Sequence, residues 1–252
     1  KESEIEKIKA EYGIEDSEIV DVSKKNEPER YKNFLTQVVN NKLPDFLNIH
    51  YFNHCWKSDI TPEIREKYCK SDWTMKKHGR NMKDKPLTNG EISLFLNFLE
   101  CLRNIRNKYE GGYFLILESD VIFNDKFCKN KLYEMIDNIK NIQDLDILNI
   151  GTGPHAYLIN NGYPKTKPII INNNKFYKEN INKCAEAIIW KYSSICKFLD
   201  YFEKDELIDG PWDTKIDVLS TYVGGFNIYW GEPLIYQGSL YGVFKTNVHY
   251  GH

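Results

Sequence analysis

One uninterrupted unit near the middle of the chain constrains the fold most. Residues 88–109 carry Ile92, Phe95, Leu96, Leu99, Leu102 and Ile105 at helical spacing, which lays an apolar stripe along one helix face. Thr88 and Glu91 form the T-x-x-E pattern of a capping box at its start, and Gly111-Gly112 ends it. Directly after comes Tyr113-Phe114-Leu115-Ile116-Leu117, apolar at every position. Such a run is expected to be a strand covered on both faces, as in a parallel sheet between helices. It stops at Glu118-Ser119-Asp120. Helix followed by buried strand demands an α/β architecture.

The rest of the chain fits that class. Residues 3–12 read as a helix closed by Gly13, residues 17–22 as a short strand, and residues 44–52 as another. Residues 53–86 are polar and lysine-rich, with a short helix near 62–69 and a long irregular loop of the kind that is usually functional or mobile. Beyond the central unit the pattern predicts a helix over 129–140 and a strand over 145–150. A loop-rich insertion with one isoleucine-rich strand follows over 151–177. Next come a helix or strand–helix over 184–202, a helix over 213–222, and short strands at 226–230 and 233–236. No repeat and no break in composition divides the chain. The expectation is a single α/β domain with a mixed, mostly parallel central sheet flanked by helices.

Composition excludes several function classes. The chain has 252 residues, with 34 basic and 36 acidic side chains and a formal charge of −2. That balance argues against binding nucleic acid through bulk charge. A hydrophobic fraction of 41% with 28% charged residues is that of a folded globular chain. No apolar run reaches the roughly 18 residues that span a bilayer. Six cysteines occur without a C-x-x-C pair, so a zinc ribbon or a dithiol redox site is not indicated. They read as reduced thiols of a cytoplasmic protein, with a secretory compartment left open. Only five of the basic residues are arginine: Arg30, Arg65, Arg80, Arg103 and Arg106. Lysine, asparagine and isoleucine, all with AT-rich codons, are used heavily, which points to an AT-rich microbe or a large DNA virus. An arginine kept against that bias is worth noting, because lysine does not replace its planar fork. The sequence opens on Lys1 rather than Met, so an upstream segment is expected.

The acidic strand end is the first chemical candidate. In open α/β sheets ligands bind outside the carboxyl ends of the strands. Glu118 and Asp120 stand at such an end, two residues apart, so both carboxylates can face one side. Two hard oxygen donors suit Mg²⁺ or Mn²⁺, with a diphosphate completing the shell. A cation there neutralises charge on a departing nucleotide diphosphate. Equally, acids simply cap a strand where it meets solvent.

The run Leu87-Thr88-Asn89-Gly90-Glu91-Ile92, a helix, and then Leu115-Ile116-Leu117-Glu118-Ser119-Asp120 resembles the family 25 glycosyltransferases. That family contains bacterial lipooligosaccharide glycosyltransferases and procollagen-modifying galactosyltransferases. Its pattern is Leu-Thr-x-Gly-Glu-Ile, a helix, and a strand ending Leu-Glu-Asp-Asp. Cys184-Ala185-Glu186-Ala187 stands where the family has a segment ending in Gly-Ala, and Pro211-Trp212-Asp213 matches its Pro-x-Asp. The resemblance runs over about residues 1–245, with residues 87–120 its specific part. Three positions depart from it: the family's Ser and His in the helix are Asn97 and Phe98, and its second carboxylate is Ser119.

The resemblance implies a GT-A (Rossmann-like) fold whose opening strand lies upstream of Lys1. Residues 1–120 would form the nucleotide-sugar side and residues 121–252 the acceptor side. It also implies a metal-dependent transfer of a hexose, glucose or galactose, from a UDP-sugar. The acceptor would be a hydroxyl on a glycan or on a hydroxylysine-type, collagen-like protein, and a homodimer is one expected state. Glu118 and Asp120 would hold Mn²⁺ or Mg²⁺ and the diphosphate, with His249 and then His252 as imidazole ligands. Gly90 and Glu91 would lie near the donor, although the capping box alone accounts for Glu91. Lys245 either sits on a phosphate as a point charge or is one of many surface lysines, and Arg80 with Lys85 either closes over the diphosphate or only solvates the loop. Asp213 would be the general base, with helix capping as its other reading. Trp212 either stacks on a sugar or sits in the core, and Trp56 and Trp73 would line an acceptor cleft. A different class remains: a catalytically degenerate glycan- or nucleotide-binding GT-A domain, motivated by Ser119 and Phe98. A phosphotransferase is disfavoured by the absence of a G-x-x-x-x-G-K-[ST] loop.

Overall fold

A computed structural model describes residues 28–41, 54–69, 87–124, 127, 129–153, 162–182, 184–204, 206–239 and 242–244. The expected helix at 3–12 and strands at 17–22 and 44–52 lie outside them, as does most of the loop before residue 87. In chain order the first elements are α1 (Pro28–Asn40), a 3₁₀ turn (Lys57–Asp59), α2 (Pro62–Tyr68) and α3 (Asn89–Lys108). Next come β1 (Tyr113–Leu117), β2 (Val121–Phe123), α4 (Lys129–Ile139), β3 (Ile147–Gly151), β4 (Ile169–Ile171) and β5 (Asn174–Glu179). The last are β6 (Ala187–Lys191), α5 (Tyr192–Phe202), α6 (Trp212–Val218), a π-turn (Leu219–Val223) and β7 (Ile228–Gln237).

Local chemistry explains the boundaries. The capping box of α3 is formed: Glu91 N–H donates to Thr88 Oγ1 at 3.2 Å, and Thr88 N–H donates to Glu91 Oε2 at 2.7 Å. Thr61 caps α2 by accepting the Ile64 N–H on Oγ1 at 3.3 Å, with Pro62 at the first helical position where its missing N–H costs nothing. Asn172 and Asn173 take φ of 46° and 66° and close the β4–β5 hairpin with the left-handed pair that a two-residue turn requires. The stretch 184–202 is strand then helix, β6 running directly into α5. The two short strands expected at 226–236 are one strand, β7, whose register against β3 shifts between Asn149 and Gly151.

The seven strands form an open mixed sheet in the order β1-β6-β3-β7-β5-β4, with β2 pairing to β7. The expectation of a mostly parallel sheet is corrected here. Among the described pairings only β3 with β7 is parallel, and the other five are antiparallel. The apolar run at 113–117 misled because cover on both faces reports helices above and below, not strand direction. Among the described residues β1 has a single neighbour, β6, and it is mostly half-buried.

Period-two alternation sends each strand's side chains to two cores. Ile116, Ile147, Ile188, Trp190, Ile228 and Trp230 pack on one face with residues of α3, α5 and α6. Leu148, Ile150, Ala187, Ile189, Tyr229 and Ile235 pack on the other face with α1 and α4. The result is three layers, helix–sheet–helix. No helix among the described residues is long and apolar enough to cross a membrane.

Candidate functional site

The strand directions bring several segments to one edge. β1 and β3 both run antiparallel to β6, and β7 runs parallel to β3. The carboxyl ends of β1, β3 and β7 therefore lie together where β6 begins. The segments meeting there are 118–120, 151–153, 237–239 and 184–186, with the first turn of α6 behind them. Parity then selects the side chains. Glu118 lies two residues after Ile116 and Glu186 two before Ile188, so both point to the α3–α5–α6 face. The β1–β6 register also sets Glu118 opposite Glu186, and Glu118 N–H donates to the Glu186 carbonyl at 3.1 Å. Two like charges directly across an antiparallel pair are unfavourable unless something compensates them.

Each acid is anchored differently. Glu118 Oε2 accepts from Gln237 Nε2 at 2.7 Å. Asp120, 2% exposed, accepts the Ser239 N–H on Oδ2 at 3.1 Å. Gly238 N–H donates to the Asp120 carbonyl at 2.7 Å, an approach a side chain at 238 would obstruct. Glu186 is fully buried. Its Oε1 accepts the Gly153 N–H at 2.6 Å, while Oε2 has no hydrogen-bond partner among the described residues. Gly151 faces Glu186 across the β3–β6 pair, and a Cβ there would overlap that carboxylate. Asp213 accepts from Thr214 N–H at 2.8 Å and from Cys184 N–H at 3.4 Å.

A buried polar network holds the 182–186 segment in place. Cys184 adopts φ 62°. Asn182 N–H donates to Asp217, one turn beyond Asp213 on α6. Asn149 Nδ2 donates to Asn182 Oδ1 at 2.7 Å, and Asn149 Oδ1 accepts the Gly151 N–H at 2.8 Å.

Among the described residues, the electrostatics are those of an acid cluster opposed by Arg30. Burial first, then the charges of Asp120, Glu186 and Asp213, hold the Glu118 carboxyl well above the usual carboxylate range, and Arg30 opposes this. Burial likewise pushes Glu186 up to about 7, helped by Asp120 and Asp213 and opposed by the Gly153 N–H. Arg30, 8% exposed, donates to Ser119 Oγ at 3.5 Å and lies 5.7 Å from the centre of the Phe244 ring.

Of the residues singled out from sequence, Glu118, Asp120 and Asp213 converge here. Asp213 is not the helix cap: Pro211 holds that position without a side-chain bond, and Asp213 is the second helical residue. Its charge is still favoured there by the helix N-terminus. Trp212 belongs to the core. It is 2% exposed, stacked on Phe98 at 4.9 Å and edge-on to Phe95 at 5.1 Å. Gly90 and Glu91 stand in the first turn of α3, where Glu91 serves the capping box. Trp56 is half-buried and its N–H donates to Asp59 at 2.8 Å, starting the 3₁₀ turn. Arg80, Lys85, Trp73, Lys245, His249 and His252 lie outside the described residues.

The departures from the family pattern have structural work in this chain. Phe98 supplies the ring that stacks on Trp212. Asn97 Oδ1 accepts the N–H groups of His54 and Cys55 at 2.6 and 3.0 Å, tying the segment before the 3₁₀ turn to α3. Ser119 meets Arg30. Sequence reasoning missed Glu186, Arg30 and Gln237 as site residues. Scarcity of arginine was a usable signal for Arg30, but that reasoning settled on Arg80.

The donor atoms are carboxylate oxygens, the type a hard divalent cation takes, and one of them is buried without a partner among the described residues. Among the described residues, no three His, Cys, Asp or Glu side chains are grouped so as to hold an ion as they stand. No protein-family model matches this chain, and no curated protein matches its sequence.

Proposed function

We propose that the chain is a metal-dependent glycosyltransferase of GT-A fold. It moves a hexose from a UDP-sugar to a hydroxyl on a glycan or a hydroxylysine-type protein. The observation that carries this reading is the meeting of Glu118, Asp120, Glu186 and Asp213 at the carboxyl edge of β1, β3 and β7, with Arg30 the described cation that acts on Glu118. That edge is where open α/β sheets bind nucleotides. Glu118 and Asp120 are the residues that would hold Mn²⁺ or Mg²⁺, with His249 as a further ligand. When bound, the cation neutralises the diphosphate as it leaves.

The protein's own groups supply the rest. Asp213 keeps one short and one long backbone bond, so an acceptor lone pair is left for the proton of the incoming hydroxyl. In an inverting reaction that proton passes to Asp213 as the hydroxyl oxygen bonds the anomeric carbon. The bond from that carbon to the diphosphate breaks, and UDP departs with its electron pair. Gln237 holds the Glu118 carboxylate in one orientation. The Ser239 and Gly238 N–H groups do the same for Asp120 and its backbone.

A second reading is a GT-A domain that binds nucleotide or glycan without turnover. It is favoured by Ser119 in the carboxylate motif and by the lack of a preassembled ligand group among the described residues. A panel of UDP-sugars with and without Mn²⁺, followed by thermal shift and by UDP release with glycan and hydroxylysine acceptors, separates the two. Stabilisation with UDP release supports transfer. Stabilisation without release under any acceptor supports the binding domain. Neither effect with any donor removes both.

A further inference from the structure

We propose that the β4 edge of the sheet, with the segment leading into it, is a docking surface for an anionic phospholipid bilayer; this does not depend on the glycosyltransferase reading. Among the described residues β4 ends the sheet. Ile169 and Ile170 on it are 41% and 63% exposed, and of the exposed large apolar side chains among the described residues only these two are adjacent in the chain. Ile169 shares the face of Ile171 and Phe176, while Ile170 stands across from Lys175 on the other face. Apolar surface therefore wraps the rim of the sheet. Charge is segregated in the same place. Residues 162–178 contain Lys165, Lys167, Lys175 and Lys178 and no acid, in a chain whose formal charge is −2. Lys178 pairs with Asp144, and Lys165, Lys167 and Lys175 are exposed.

The support beneath this rim is fixed. Glu179 Oε1 accepts the N–H groups of Lys165 and Thr166 at 2.7 and 2.9 Å. Asn174 of β5 accepts from Lys131 Nζ and donates to Glu134, both at 2.7 Å, which ties the hairpin to α4. The isoleucines are thus held out on a braced hairpin. Chemistry then selects the occupant. Lysine and proline on an edge keep it from pairing with another strand, and Pro168 lacks the N–H that a ladder needs. A second copy would set its own lysines against these. A bilayer needs no ladder. Isoleucine enters the acyl boundary, while the lysine stems lie along apolar surface and their ammonium groups meet the phosphates. Two partly exposed isoleucines and three lysines give weak, reversible attachment.

Flotation of the full chain with vesicles tests this. Phosphatidylcholine vesicles are compared with mixed phosphatidylcholine–phosphatidylserine vesicles, and a peptide of alternating glutamate and valine is titrated separately. Wild type is expected to float with the anionic vesicles, to stay behind with the neutral ones, and to lose binding as salt is raised. Lys167→Glu with Lys175→Glu is expected to lower the partition coefficient at least about tenfold, and Ile169→Ser with Ile170→Ser by a similar factor of about ten. Val223→Ser, at an exposed apolar position outside the hairpin, is expected to bind as wild type does. Thermal midpoints establish that each variant is folded, and the lysine variant decides the matter if the isoleucine variant is not. No flotation of wild type with anionic vesicles overturns the proposal. So does equal flotation with neutral vesicles, wild-type flotation of the folded lysine or isoleucine variant, or an equal loss in Val223→Ser. Binding of the peptide without binding of vesicles marks the edge as a site for a protein strand and also overturns it.

Discussion

Two buried acids sit at opposite ends of the same sheet and are treated in opposite ways. Asp146, just before β3, is 9% exposed. Its Oδ1 accepts from Ser194 Oγ at 3.0 Å, and its Oδ2 accepts from Lys197 Nζ at 3.0 Å and Asn227 N–H at 2.7 Å. Both oxygens are satisfied and the charge is paired. Glu186, at the other end, accepts the Gly153 N–H on Oε1, keeps Oε2 without a partner among the described residues and has acidic neighbours. A satisfied buried acid ties elements together, here β3, α5 and the entry to β7. An unsatisfied one costs stability, and proteins keep such groups where a ligand completes them. The difference sets a fully paired end of the sheet against one where a buried acid leaves an oxygen without a partner among the described residues.

The sharpest way to break this contrast is at the end proposed to bind the donor. Asp120→Asn is expected to weaken Mn²⁺-dependent UDP-sugar binding at least about 100-fold, because a hard cation loses a carboxylate. Circular dichroism is expected to stay unchanged. Calorimetric titration that finds wild-type affinity in this variant defeats the assignment. At the structural end the signs reverse. Asp146→Ala leaves the Asn227 N–H, Ser194 and Lys197 without their acceptor and is expected to cost about 2–3 kcal/mol in urea unfolding. Donor affinity is expected to be unaffected below the melting transition.

Smaller effects sharpen the division. Phe98→His breaks the stack on Trp212 and buries an imidazole. The expectation is a loss of about 1–2 kcal/mol and no gain in turnover. The pH dependence has a definite sign. Glu186 titrates at about 7 in the folded chain, against a usual 4.5, so between those values the folded state holds a proton that the unfolded chain has lost. Stability from this group is full below about 4.5 and disappears as pH rises through about 7. In EDTA, Glu186→Gln is therefore expected to gain on wild type steadily from about pH 5 to about pH 8. A margin that stays flat over that window counts against the burial of a repelled charge. The least effect is expected at the surface. Arg106 pairs with Glu203 at 2.8 Å in a solvent-screened network, so Arg106→Ala should cost under about 1 kcal/mol by chemical denaturation.

Much of this was legible along the chain because it depends on near neighbours. The α3 stripe, its Thr88–Glu91 cap and the stop at Glu118 are local features, and each is found as read. The pair Glu118 and Asp120 was visible because both stand at one strand end. Asp213 was visible through its place at a helix start. Glu186 was not. It sits in a short segment whose own composition says only that a strand follows. What makes it unusual is the identity of the residues across from it, Glu118 on one side and Gly151 on the other. Arg30 is 89 residues from Ser119, and no local pattern links them.

The sequence by itself determined the helix–strand alternation, the layers that cover the sheet, and the position of an acidic strand end. These follow from side-chain periodicity and capping, which act within a few residues. Only the tertiary structure decided the direction of the strands, the core position of Trp212, and the meeting of four carboxylates at one edge. Strand direction and register are set by pairing between segments tens of residues apart. The charge on an acid becomes costly or useful only once its neighbours and its access to water are known.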